Sequence, residues 1–241
     1  MPSIAKDSEQ SVIRITEHLE RVQKRVRTAA ESAGRNPQSV RILAVSKQQP
    51  LDQVRAAVAA GQHAFGENYL QEAAAKIAAL AGAGIEWHFI GRVQANKTRS
   101  IAQHFDWLHT VDRRQVAARL NAQRPESLPA LNVCIQVKLA DEPAKAGVLP
   151  GDLLPLATMI AEQPRLKLRG LMCIPPLSEH LQDSQPYFRQ LRELSEQLEK
   201  EGLDLDTLSM GMSADLEAAV SEGATIVRIG TALFGPRGTS R

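Results

Sequence analysis

TLSMGMSADLEAAVSEGATIVRIGT, residues 207–231, reads as strand, helix and strand in one run. Residues 207–210 and 225–229 are short apolar or β-branched stretches. Between them Leu216 and Val220 share one helical face, and Gly223 stops the helix. Two strands joined through a helix lie parallel in one sheet.

The same rhythm extends towards the N-terminus. Strand-like runs occupy 41–46 (RILAVS), 63–66 (HAFG), 86–90 (EWHFI), 107–110 (WLHT), 131–137 (LNVCIQV) and 167–173 (KLRGLMC). Helical patterns fall between strands: Leu51, Val54 and Val58 ending at Gly61, an Ala-rich stretch over 70–81, and Phe188, Leu191, Leu194 and Leu198 ending near Gly202. Ahead of the first strand, Val12, Ile15, Leu19, Val22 and Val26 mark a helix over 8–33, which Gly34 and the Asn36-Pro37 turn close. Alternating strand and helix predicts a parallel sheet. Eight units within roughly 200 residues predict a closed barrel. The expected fold is α/β, a single (β/α)8 TIM-like barrel with an extra N-terminal helix, one domain over 1–241. An open doubly wound sheet is the alternative, but no G-x-G-x-x-G follows the first strand.

Composition excludes several classes. With 43% apolar and 23% charged residues the chain is an ordinary globular one, and with 4% aromatics its core must rely on aliphatic side chains. A net charge of +2 does not point to nucleic acid. The Arg21, Lys24, Arg25 and Arg27 cluster reads as a solvated helix face. Cys134 and Cys173 lie in apolar runs and read as buried free thiols, neither a disulfide framework nor a metal site. There is no apolar leader, and no run reaches the roughly 18 apolar residues of a membrane span. A cytoplasmic monomer with no nucleic-acid or membrane partner is expected.

In a (β/α)8 barrel chemistry belongs to the C-terminal ends of the strands. The first strand ends at Ser46-Lys47. A lysine at a barrel mouth can act as an amine nucleophile, or it can be a bland loop residue. The seventh strand runs through Ser209, Met210, Gly211 and Met212 to Ser213, which stands where a helix N-cap is expected. Free N–H groups there suit an anion, although Asp215 and Glu217 already complement the helix dipole. The eighth strand ends in Gly230-Thr231, which also suits a phosphate. Arg228 lies between Val227 and Ile229 and therefore faces away from them. If that face is the barrel interior, Arg228 needs either a carboxylate or a ligand heteroatom. Glu67-Asn68, His88, Asn96 and Lys97 are further polar groups near the rim.

The segments AVSK (44–47), FGENYLQE (65–72), WHFIGRVQANK (87–97), LRGLM (168–172), LSMGMSADLEAA (208–219) and VRIGTALFG (227–235) together resemble the pyridoxal phosphate homeostasis protein family. That family is similar to the N-terminal barrel of alanine racemase, a fold type III pyridoxal phosphate barrel. The resemblance implies pyridoxal 5′-phosphate as cofactor, held as a Schiff base on Lys47. It implies that Ser213, Gly230 and Thr231 hold the phosphate with the backbone from Ser209 and Met210 through Gly211 to Met212. It implies that Arg228 faces the pyridine nitrogen and that Asn68 and His88 lie near the ring. Gln48-Gln49, Arg92-Val93 and the stretch around Lys145 depart from the family pattern. They bear on the loops over the site and on a second ligand site near Lys145.

Arginine can only donate, so a pyridine nitrogen facing Arg228 stays unprotonated and the ring is a poor electron sink. The expectation is a non-catalytic carrier or buffer of pyridoxal phosphate with no catalytic residue, acting on amino-acid and keto-acid balance through transient contact with apo-enzymes. The alternatives are an amino-acid racemase with Tyr69 as its acid, and a class I aldolase-like enzyme using Lys47.

Overall fold

The computed structural model describes residues 3–140, 146–176 and 181–235. The Lys145 expectation lies outside these residues. Eight strands close into one barrel in chain order. They are β1 (Arg41–Val45), β2 (Ala64–Glu67), β3 (Glu86–Phe89), β4 (Trp107–Val111), β5 (Leu131–Gln136), β6 (Leu166–Met172), β7 (Thr207–Met212) and β8 (Ile226–Ile229). Every pairing is parallel. β8 returns to β1 with Leu43 opposite Arg228 and Ala44 opposite Ile229, which closes the ring without an edge. The barrel and the N-terminal helix are as the sequence predicts.

The helices are α1 (Ser3–Ser32), α2 (Leu51–Ala59), α3 (Leu70–Ala79), α4 (Thr98–His104), α5 (Arg114–Gln123), α6 (Leu153–Ala161), α7 (Gln185–Lys200), α8 (Leu216–Ser221) and α9 (Thr231–Phe234). Most of the core lies between the strands' outer faces and this helical ring, for example Phe65, Leu108, Ile135, Phe188 and Leu216. A smaller apolar cluster of Leu43, Trp107, Cys134, Met172 and Ile226 fills part of the barrel interior. Both cysteines are buried, and they form no disulfide with each other.

α1 ends where Gly34 adopts φ +67 and the Arg35 N–H reaches back to the Ala30 carbonyl at 2.8 Å, a glycine-closed terminus. It packs on α2, α8 and α9. Arg25 departs from the solvated-face expectation. It pairs with Glu217 at 2.7 Å and donates to the Ser213 carbonyl at 3.0 Å, which ties α1 to the loop after β7. No helix of the described residues is long and apolar enough to cross a membrane.

Candidate functional site

Lys47 sits in a tight turn after β1. The Gln49 N–H closes the turn on the Ser46 carbonyl at 3.0 Å, and Gln48 takes φ +59, a left-handed conformation unusual for a residue other than glycine. Such a conformation persists only where its surroundings over-determine it. Here they do. Lys76, buried on α3, donates to the Ser46 carbonyl at 2.6 Å, to Glu67 Oε1 at 2.8 Å and to Glu72 Oε1 at 2.6 Å. The Ser46 hydroxyl donates to the same Glu67 oxygen at 2.6 Å, and Glu72 accepts the Gln48 N–H at 2.6 Å. Glu67 is fully buried, and its Oε2 has no hydrogen-bond partner among the described residues. Burial raises its pKa, against the opposing hydrogen bonds from Lys76 and Ser46.

A cavity of about 270 Å³ opens beside that turn. It gathers Lys47 after β1, Asn68 after β2, Ser213 after β7, Arg228 on β8, and Gly230 and Thr231 after β8. Val45, Ile90, Met172 and Ile174 supply apolar wall. Two features mark a place for a ligand. Asn68 Oδ1 is buried and has no hydrogen-bond partner among the described residues. A Cβ on Gly230 would come no nearer to the rest of the protein than the Val45 carbonyl at 3.6 Å, so the missing side chain leaves space. Asn68 is itself held in place by Gly91: a Cβ there would lie 2.2 Å from the Asn68 carbonyl oxygen.

The remaining expected residues are placed differently. Ser213 lines the cavity, but it is not the cap of α8; Asp215 occupies that position. The loop runs two residues further than its composition suggests. Asp215 instead accepts the Met212 N–H at 2.6 Å, which takes that group away from any anion. The Ser213 hydroxyl accepts the Ala232 N–H at 3.2 Å, joining the loops after β7 and β8. Met212 lines the cavity, whereas Met210 points into the core between barrel and helices. Gly211, at φ +88, serves packing. A Cβ there would meet that of Ala219 at 2.4 Å, so glycine lets α8 lie close on β7. His88 and Ser209 lie on the inner face of the barrel, outside the cavity lining.

Arg228 is buried on that inner face, and its acceptors among the described residues include no carboxylate. Nη1 donates to the Ser209 carbonyl at 2.6 Å and to its hydroxyl at 2.9 Å, and Nη2 donates to the Cys173 carbonyl at 2.9 Å. Burial lowers its pKa from the ordinary arginine value. Two residues that the sequence reading did not single out complete the interior. His109 Nδ1 lies 2.8 Å from Ser209 Oγ and its Nε2 lies 2.9 Å from His88 Nδ1. Glu86 Oε1 lies 2.7 Å from His88 Nε2 and also pairs with Arg41. Strand alternation was the available signal, since Glu86 and His88, like Trp107 and His109, share a face. Burial would raise the Glu86 carboxyl, but the hydrogen bond to His88 and the Arg41 charge hold it below its usual range. Burial pushes His88 down and His109 well down.

Tyr69 is 54% exposed. It lines a neighbouring cleft of about 560 Å³ with Arg92 and Lys97, while the Lys47 cavity does not include it.

Residues 18–238 match the family model described as alanine racemase, N-terminal domain. Fold and cavity thus define a barrel of the alanine racemase N-terminal class. The chain is 55% identical to the pyridoxal phosphate homeostasis protein of Pseudomonas aeruginosa over 223 residues, 92% of this chain and 96% of that protein. It is 48% identical to the protein of the same name from Escherichia coli K12 over 231 residues, 94% of this chain and 98% of that protein. The chain belongs to the pyridoxal phosphate homeostasis protein family. Among solved structures it is similar to PipY of Synechococcus elongatus PCC7942 with PLP bound, at 40% identity and TM-score 0.82, over 92% of this chain and 100% of that one. Alanine racemase of Corynebacterium glutamicum shares the fold at 16% identity and TM-score 0.66, over 92% of this chain and 62% of that one.

Proposed function

We propose that this protein binds pyridoxal 5′-phosphate as a Schiff base on Lys47 and serves cellular homeostasis of the cofactor as a carrier or buffer without rapid turnover. The observation that carries the reading is the convergence of Lys47, Asn68, Ser213, Arg228, Gly230 and Thr231 on one cavity at the C-terminal end of the barrel. A volume of about 270 Å³ suits a small ligand rather than a cofactor with a bulky substrate.

The residues fit the cofactor in kind. Lys47 would supply the amine and Arg228 would face the pyridine nitrogen. Ser213, Gly230 and Thr231 would hold the phosphate, Ile90 and Met172 would give the ring an apolar wall, and Asn68 would offer its amide oxygen. When bound, pyridoxal phosphate supplies an electron sink for amino-acid chemistry. Arg228 damps that sink because it can only donate, which leaves the ring nitrogen unprotonated. A two-base racemase needs an acid on the far face of the substrate. Tyr69, the tyrosine that would serve, lines the neighbouring cleft.

We further propose a cytoplasmic location, with pyridoxal phosphate-dependent apo-enzymes as transient partners. Addition of the cofactor to purified protein should give a visible Schiff-base band that borohydride bleaches and that Lys47→Ala abolishes. Loaded protein should then pass cofactor to an apo-enzyme, with free pyridoxal phosphate as control, and should not interconvert L- and D-alanine. A colourless protein would defeat the reading, as would rapid racemisation lost in Tyr69→Phe.

A further inference from the structure

The polar groups inside the barrel form one continuous line. It runs from Glu86 on β3 to His88 on the same strand, to His109 on β4, across the barrel to Ser209 on β7, and to Arg228 on β8. The four links measure 2.7, 2.9, 2.8 and 2.9 Å. His88, His109, Ser209 and Arg228 are all at most 5% exposed, so water does not compete for the three inner links, while Glu86 meets solvent at the outer end.

With His88 neutral, as its burial favours, hydrogen-bonding capacity fixes the direction of every link. The Glu86 carboxylate, facing Arg41, can only accept, so His88 donates from Nε2. A neutral His88 then presents a lone pair at Nδ1, so His109 must donate from Nε2. His109 Nδ1 is left as an acceptor, and the Ser209 hydroxyl must donate to it. The Ser209 oxygen in turn accepts from Arg228, which has no other role open to it. Each assignment forces the next, and each satisfies both partners.

We propose that Glu86, His88, His109 and Ser209 are positioning residues for Arg228: they form a single directional hydrogen-bond chain that crosses the barrel and locks the guanidinium in one orientation at the floor of the Lys47 cavity. With Nη1 held by Ser209 and Nη2 by Cys173, Nε is the guanidinium nitrogen that bonds to nothing among the described residues. Three of the five guanidinium N–H groups are then taken, which leaves Nε–H and the second Nη2–H for a ligand acceptor. The chain also gives Arg228 a carboxylate at a remove, through neutral groups, where a direct ion pair would draw the guanidinium away from the cavity. His88 and Ser209 thus act on the cofactor without touching it.

The assignment to the cofactor rests on the proposed Schiff-base function, whereas the chain itself does not. The first measurement therefore uses the protein without cofactor. In ¹⁵N-histidine-labelled protein, long-range ¹H–¹⁵N correlations should show His88 and His109 both as neutral Nε2–H tautomers between about pH 6 and 8. An imidazolium at His88, or an Nδ1–H tautomer at either residue, overturns the chain.

The second measurement uses loaded protein. Ser209→Ala removes one link and one acceptor of Arg228. It should release His109 from its fixed tautomer, shift the visible band and speed cofactor dissociation roughly fivefold, the equivalent of one net hydrogen bond. Ser209→Thr keeps the hydroxyl and should restore all three. Folded Ser209→Ala with the wild-type band and dissociation rate overturns the positioning role. If wild-type protein forms no Schiff-base band, the function proposed above fails, and the histidine tautomers still decide the chain.

Discussion

Lys76→Met tests whether the buried network beside Lys47 is what holds that turn. Methionine keeps the apolar stem and deletes the ammonium, so the three hydrogen bonds to Ser46, Glu67 and Glu72 go together. Glu67 is left fully buried with the Ser46 hydroxyl as its remaining donor. Removing one partner of a buried pair costs about 3–5 kcal/mol. The lower end applies, because Glu67 can escape by taking up a proton. That gives about 3 kcal/mol above neutral pH, and a melting temperature lower by about 6–12 °C for a domain of this size.

The pH dependence follows from the same group. Burial already raises the Glu67 pKa in the folded protein, and loss of the ammonium raises it further. A carboxyl whose folded pKa exceeds its unfolded one weakens the fold above that pKa and is relieved as pH falls through it. The deficit should therefore shrink between pH 8 and pH 5, by up to about 1.4 kcal/mol per unit. Urea unfolding of wild type and variant at both pH values measures it directly. A deficit under about 1 kcal/mol at pH 8, or one equal at both pH values, refutes the reasoning.

Gly91→Ala should lower cofactor affinity about tenfold, or about 1.4 kcal/mol, because its Cβ would lie 2.2 Å from the Asn68 oxygen and must push Asn68 out of place; a fluorescence titration indistinguishable from wild type counts against that role. The Cys134 thiol, pushed up to about 12 by burial, should resist an aromatic disulfide reagent at pH 8 until urea unfolds the barrel. Mass mapping of modified native protein checks this, and ready labelling at Cys134 contradicts its burial.

All eight strands were legible because strands here are short apolar runs bounded by helical patterns. The helices were less so. α6, LLPLATMIA, is apolar nearly throughout, which erases any stripe, and α4 has only seven residues, too few to show a period. At the site, Lys47, Arg228, Gly230 and Thr231 were legible because strand ends and alternation fix which residues reach the mouth. Depth was not. His88 shares a face with Ile90, yet Ile90 lines the cavity while His88, two residues earlier, bonds within the barrel. The partners of Arg228 were hidden for another reason. Ser209 and Cys173 lie 19 and 55 residues away, and the side-by-side pairing of β6, β7 and β8 brings them together. Ser213 was misread as a cap because the sequence alone does not reveal that Asp215 takes that place.

Two buried networks flank the cavity. One, on β1, β2 and α3, fixes the turn that carries Lys47; the other, across β3, β4, β7 and β8, fixes Arg228. Both are formed without a ligand, so binding need not order the two groups that matter most. The ordering cost is met during folding, when a strained Gln48 and an unpaired oxygen on Glu67 are accepted in exchange for a preformed site. Stability and cofactor retention are therefore coupled through Lys76, Ser209 and His109, which support the site without lining the cavity. They are uncoupled at Asn68 and Thr231, which line the cavity and belong to neither network. A protein that must hold a reactive aldehyde firmly and release it intact gains from that division: retention is set by the rigidity of the barrel, while the few groups facing the ligand remain free to set how readily it leaves.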